Sequence, residues 1–222
     1  MSDRMMRMGG VAAIAFVVLI LVTIFSGGSP PAADDTAEKI RTYFVDHRGG
    51  MILGQFCGII GTAFVIWFAI VLREALRGDR LTSALGTASL AGVLVTAPLA
   101  VAGGAVAMAP VWVDGAAKDF NPDVLRLAYL TQNLLFAGTS CGLLLFGVTT
   151  ALAIRRSGAL PVYTMWLAAL VAVGNAVVVI AMLSPSSSGA GFAGITTFLL
   201  FLLVTGIVMA TGRASASAPA EA

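Results

Sequence analysis

Six apolar runs divide the chain, at about residues 9–27, 50–72, 81–107, 124–154, 162–183 and 192–211. A helix needs roughly 20 apolar residues to cross a hydrocarbon core of about 30 Å. The pattern therefore predicts an all-α polytopic membrane protein, with six transmembrane helices in one bundle that makes a single domain of residues 1–222. The clearest run is Met51–Leu72. It holds no charge and leads into Arg73-Glu74-Ala75-Leu76-Arg77-Gly78-Asp79-Arg80.

The polar stretches between the runs carry their own signals. Arg4 and Arg7 precede the first run, and Phe25-Ser26-Gly27 follows it without the small-residue pattern of a cleavage site. An uncleaved first helix is favoured over a signal peptide. Ser26–Gly50 opens with Gly27-Gly28-Ser29-Pro30-Pro31, which cannot be helical. Asp35-Thr36-Ala37-Glu38 then resembles a helix start with an acidic residue in the first turn. Ile40, Tyr43 and Phe44 follow at helical spacing. They predict a short amphipathic helix from about Thr36 to His47 in the first outer loop, lying on the membrane surface and ended by Gly49-Gly50. Pro98 is expected to kink the third crossing. The fourth is longer than a crossing needs, so its first turns should stand clear of the bilayer. The small-residue tail 212–222 is expected to be disordered.

Composition supports this frame. The chain is 59% hydrophobic and only 11% charged, against about 25% charged in soluble domains. That leaves no residues for a separate soluble domain. The basic residues fall unevenly. Arg73, Arg77, Arg80, Arg155 and Arg156 occupy the two short turns on the side of the N-terminus, where Arg4 and Arg7 also lie. The acidic residues favour the opposite side. The positive-inside rule then predicts that both termini are cytoplasmic. Cys57 and Cys141 lie in apolar runs and make neither a disulfide framework nor a zinc site.

Within the runs, small and polar residues mark the faces that meet neighbours. Gly54, Cys57, Gly58 and Gly61 share one face of the second helix, with Phe56, Ile60 and Trp67 opposite. Gly54/Gly58 and Gly138/Gly142 are small-xxx-small pairs that allow helices to approach closely. Gly54, Gly58, Gly61, Gly138 and Gly142 are the expected packing positions, within the chain or toward another subunit. Cys57-Gly58 and Cys141-Gly142 in parallel helices raise the alternative of a duplicated hairpin or chance similarity. Gln55, Gln132, Asn133 and Asn175 all fall in the outer half of the bundle, with Thr196 and Thr197 near them in depth. One reading is a shallow ligand pocket rimmed by Asp46, His47 and Arg48. The other is interhelical hydrogen bonding worth about 0.6 kcal/mol per bond.

The sequence lacks the usual chemistry. No Asp, Glu, Lys, Arg or His falls in the middle of any run, where ion-coupled carriers keep one. His47 is the single histidine, and no thiol-exchange, metalloprotease, nucleophile-elbow or phosphate-loop motif occurs. No catalytic residue, metal site or cofactor is expected.

The segment Arg155–Leu170, RRSGALPVYTMWLAAL, resembles a bacterial domain-of-unknown-function family of small six-helix membrane proteins. The resemblance covers the layout of most of the chain and the turn Ser157-Gly158-Ala159-Leu160-Pro161. Family members usually follow the proline with Trp and Gly, whereas this chain has Tyr163 and Trp166. The family has no established activity, so the resemblance implies a bacterial membrane protein and no site residues. The expectation is a non-catalytic protein of the bacterial plasma membrane, an accessory subunit of an envelope or transport complex. The alternative is a binder of a small apolar molecule or lipid through the outer polar residues. Its partners are the bilayer and a membrane protein or second copy of itself, not nucleic acid.

Overall fold

The computed structural model describes residues 2–113, 115–183 and 191–212, without the side chains of Ala116 and Gly191. These residues form helices and turns, with no strand among them. The helices are α1 (Asp3–Ser26), α2 (Ala37–Asp46), α3 (Arg48–Ala75), α4 (Arg80–Met108), α5 (Ala116–Asp119), α6 (Pro122–Ser157), α7 (Val162–Ala181) and α8 (Gly191–Ala210). Helices α1, α3, α4, α6, α7 and α8 are long and apolar enough to cross a membrane. The chain is a six-helix, multi-pass membrane protein.

Local chemistry sets the ends. The Ser2 hydroxyl caps α1 by accepting from the Met5 amide. Asp79 caps α4 through the Thr82 amide at 2.7 Å. Asn121 caps α6, with Pro122 at the first helical position, where its missing N–H costs nothing. Gly158 ends α6 at φ +61°, a left-handed turn that glycine adopts without strain. Pro98 lies inside an uninterrupted α4 and faces outward. The segment Ser184–Ala190 and the part of the expected disordered tail beyond Gly212 lie outside the described residues.

The six long helices form a closed ring in chain order: α1 packs on α3, α3 on α4, α4 on α6, α6 on α7, α7 on α8, and α8 back on α1. An even number of antiparallel passes brings the first and last helices together. An added Cβ at Gly10 would lie 2.5 Å from the Ala210 amide nitrogen. The α1 start, the α3–α4 turn, the α6–α7 turn and the α8 end therefore share one end of the bundle, here the basic end. Aromatic side chains pack at the centre of the ring. Phe146 of α6 makes edge contacts with Phe198 and Phe201 of α8, each at 5.5 Å between centroids. Phe16 of α1 and Phe68 of α3 complete the cluster, and all five rings are at most 7% exposed.

At the opposite end a second apolar cluster forms a cap. α2 buries Ile40 and Phe44 completely, against Met51, Ala107, Val111, Leu125 and Tyr129. The expected amphipathic helix is present, but its apolar face is spent on protein rather than on lipid. The overlong α6 is the reason: at 36 residues and 1.5 Å per residue it reaches beyond the bundle and gives α2 a wall. Gly49-Gly50 does not end α2 as expected. The chain breaks at His47 (φ −106°, ψ 14°), and both glycines belong to the first turn of α3. There Gly50 lies on the Ser26 carbonyl, in space that no side chain could share.

Candidate functional site

The polar residues expected to gather in the outer half occupy different seams of the ring. Gln55 extends from α3 across α4 and lies directly on Gly104, whose missing side chain makes the room. Gln132 on α6 keeps its Oε1 buried, with no hydrogen-bond partner among the described residues. Asn133 stands beside the Tyr129 hydroxyl, which itself donates to the Pro31 carbonyl at 2.5 Å. Asn133 thus serves the cap. Asn175 is fully buried in the α7–α8 seam, where Nδ2 donates to the Val171 carbonyl at 2.9 Å and reaches the Gly194 carbonyl at 3.5 Å. Thr197 shares that seam, bonded to the Ala193 and Gly194 carbonyls. Thr196, one residue away, is rotated to the exposed surface. Gln55, Asn133 and Asn175, expected to form one pocket, lie in three places, because equal depth does not put side chains on the same seam.

The rim residues hold the cap closed. His47 stacks on Tyr43, with ring centroids 4.8 Å apart, and its Nδ1 is 3.2 Å from the Tyr43 carbonyl. Its ring also covers Gly28. Arg48 donates from Nε to the Val111 carbonyl at 2.9 Å, and Asp46 is exposed. Burial, followed by the proximity of Tyr129, pushes the Tyr43 hydroxyl above its ordinary 10.0, so it stays protonated at neutral pH. Asp35 is held below the usual carboxylate range, mainly by Lys39, whose Nζ is 2.8 Å away, and then by the Ala32 amide. These groups stitch loops to helices. Among the described residues no group of three His, Cys, Asp or Glu side chains could hold a metal ion.

The packing glycines also divide. Gly54 and Gly61 face α1: added Cβ atoms would meet the Ser26 hydroxyl at 3.1 Å and the Phe16 ring at 3.3 Å. Gly142 faces α4 and lies back to back with Gly92, each Cβ position 2.5 Å from the other's carbonyl oxygen. Gly58 and Gly138 are not close-packing positions. A Cβ at Gly58 meets nothing within 4 Å, and one at Gly138 meets Leu99 at 3.7 Å. The similarity between Cys57-Gly58 and Cys141-Gly142 fails on the same geometry. Cys57 is buried and Gly58 open, whereas Cys141 is exposed and Gly142 packed. The two dipeptides sit about one residue, or 100°, apart in helical phase.

Hydroxyl residues of the α4–α6 seam were not among the expected site residues. Ser89 and Thr150 share a hydrogen bond of 2.6 Å, both buried, and Thr96 donates to the Gly92 carbonyl at 2.9 Å and the Thr139 carbonyl at 3.2 Å. Ser89, Gly92 and Thr96 recur at i, i+3 and i+7, a readable one-face signal. The opposite face of α4 was also missed. Ala84, Ala91, Val95, Pro98, Ala102 and Ala105 are all exposed and fall within about a quarter-turn of one another at 3.6 residues per turn. Thr87 lies on the same face, bonded to Arg73 Nε at 3.2 Å. Val95 is the bulky residue within this stripe, and exposed Leu81, Leu94 and Val101 edge it. No family model, curated protein or solved structure matches this chain.

Proposed function

We propose that this is a non-catalytic protein of the bacterial plasma membrane that acts as an accessory subunit, meeting a partner membrane protein through the outward face of α4. The small-residue stripe on that face carries the reading. Lipid chains are as apolar as leucine, so helices in a bilayer associate where small side chains let backbones approach. Inside the ring, small residues are the ones found at seams, as Gly92 is against Gly142. The outer α4 stripe has the same chemistry and no helix of the described residues on it.

The interior supports a role without transport or chemistry. The centre is filled by aromatic rings, and charged side chains lie toward the two ends of the bundle. The Ala-, Val- and Gly-rich composition and the Ser157–Pro161 turn support a bacterial source. The arginine-bearing turns beside Arg4 and Arg7 support a cytoplasmic basic end. Binding of an apolar ligand by the outer polar residues is the weaker reading, since Gln55 and Asn175 serve different seams.

Purification in mild detergent tests the proposal. The chain is expected to bring a second membrane protein with it, and A91W is expected to lose that protein while keeping the monomer intact. Recovery of the wild type only as a lone monomer contradicts the reading.

A further inference from the structure

A groove of about 840 Å³ opens on the membrane-facing side between α1 and α3, at the basic end. Its α1 wall is formed by Arg4, Arg7, Met8 and Val11, which recur at i, i+3, i+4 and i+7 and so share a face. Its α3 wall is Ala63, Phe64 and Trp67, again one face. Ala63 is the small residue of this wall, beside the bulky Phe64 and Trp67. From Arg4 to Ala12 the groove descends about 12 Å at 1.5 Å per residue, most of the roughly 15 Å depth of one leaflet's hydrocarbon. The walls below Arg7 are apolar, and the mouth is charged.

Glu74 takes up both Arg73 and Arg77 at 2.9 Å, and Asp79 takes up Arg156 at 2.9 Å. Arg4 and Arg7 are exposed and make no ion pair with another described residue. Exposed Arg80 and Arg155 at the basic end also make no ion pair with another described residue, but at this mouth two such arginines stand over an apolar groove. Asp3 also lines the mouth, so the two arginines leave one net positive charge there. The α1 N-terminus, the positive end of its backbone dipole, lies at the same place. A docked molecule must therefore be anionic at one end, apolar along about 12 Å, and present in the leaflet that bathes α1.

We infer that this groove holds one anionic phospholipid of that leaflet, with its phosphate between Arg4 and Arg7 and an acyl chain along Met8, Val11, Phe64 and Trp67. The inference is independent of the α4 reading and uses different helices, so either can fail alone. The bound lipid would lock the start of α1 against α3, at the seam where Gly9 lies on Val71.

The test is native mass spectrometry of the full chain released from nanodiscs containing equal amounts of phosphatidylglycerol and phosphatidylcholine with identical acyl chains. The wild type is expected to retain phosphatidylglycerol selectively. R4Q and R7Q should each reduce that preference about fivefold, the effect of one arginine near an anionic surface. R77Q, whose arginine is already paired, should leave it unchanged. A63F should remove retention of both lipids by filling the groove, with helical content checked by circular dichroism. Equal retention of the two lipids by the wild type overturns the inference without recourse to any variant. A preference that survives the R4Q/R7Q double variant, or retention undiminished in A63F, overturns it as well.

Discussion

On α7 the residues turned away from the bundle are Val162, Tyr163, Trp166, Leu170, Val173, Val177 and Ile180; on α4 a band of Ala84, Thr87, Ala91, Val95, Pro98, Ala102 and Ala105 is exposed, edged by the bulkier Leu81, Leu94 and Val101. Both helices cross the membrane, and both bury comparable inward faces. Mean hydropathy barely separates them: 2.1 for α7 and 2.0 for the span that contains α4. The difference is in shape. The α7 face is large and irregular, suited to fluid acyl chains. The α4 face is a band of small residues edged by Leu81, Leu94 and Val101, against which another helix could settle. Hydropathy measures whether a helix enters the membrane, whereas side-chain size decides what it meets there.

The inward and outward faces of α4 can be separated by adjacent substitutions. Leucine at Gly92 drives a side chain into the Gly142 carbonyl and the Phe146 backbone, where the neighbours are main chain and cannot yield. G92L is expected to cost about 3 kcal/mol, seen as loss of monodisperse protein in detergent. A91L, one residue away on the open face, should leave folding unchanged. If both variants unfold, α4 does not have the two distinct faces described.

Bulk on the outward face should act on association alone. A91W or A102W is expected to reduce partner recovery at least tenfold, with an unchanged monomer profile, because a backbone approach tolerates no indole. V173W on α7 should have no effect, since that face is already bulky. Equal loss from α4 and α7 variants would remove the distinction between the two helices.

A smaller effect is expected on the inward face of α7. N175V removes the Asn175 bonds to the Val171 and Gly194 carbonyls, but the wild-type Oδ1 has no partner. The net cost should be near the average of about 0.6 kcal/mol for an intramembrane hydrogen bond, read from unfolding in mixed micelles. A cost several times larger would show that Asn175 does more than join two helices.

The smallest effect is pH-dependent and concerns the α4 cap. Asp79 is held well below the ordinary 3.8 by its side-chain and backbone hydrogen bonds at Thr82, and then by Arg156. A depressed folded-state pKa means that its contribution is fully present above the ordinary carboxylate range and is lost as the pH falls through the folded value. D79N should therefore lower Tm slightly at pH 7, and its gap from the wild type should close in strong acid. A gap independent of pH would place the effect elsewhere.

Much of the fold was legible in the sequence because a bilayer imposes one length and one polarity on every crossing. The predicted runs lie on the observed helices, and Ile40 with Phe44 marked the buried face of α2. Phase was harder to read. The Gly54/Gly58 and Gly138/Gly142 pairs each contain one glycine in close contact at a seam and one with room for a side chain, since spacing along one helix does not show where its neighbour stands. The polar residues misled for the same reason: Gln55 and Asn175 share a depth but not a seam. The Gly92–Gly142 contact depends on two helices at once, so neither sequence segment reveals it alone. The α4 stripe was readable as alternating small residues, yet alanine in an apolar run attracts no notice until burial shows which face is left open.

Site-specific photo-crosslinking in native membranes tests the central claim most directly. A photoreactive phenylalanine analogue would be placed at Ala91 and Ala102 on α4 and at Val173 and Val177 on α7. A discrete adduct with a second membrane protein is expected from the α4 positions and none from α7. Adducts from neither helix, or the same adduct from both, would contradict the assignment of α4 as the docking face.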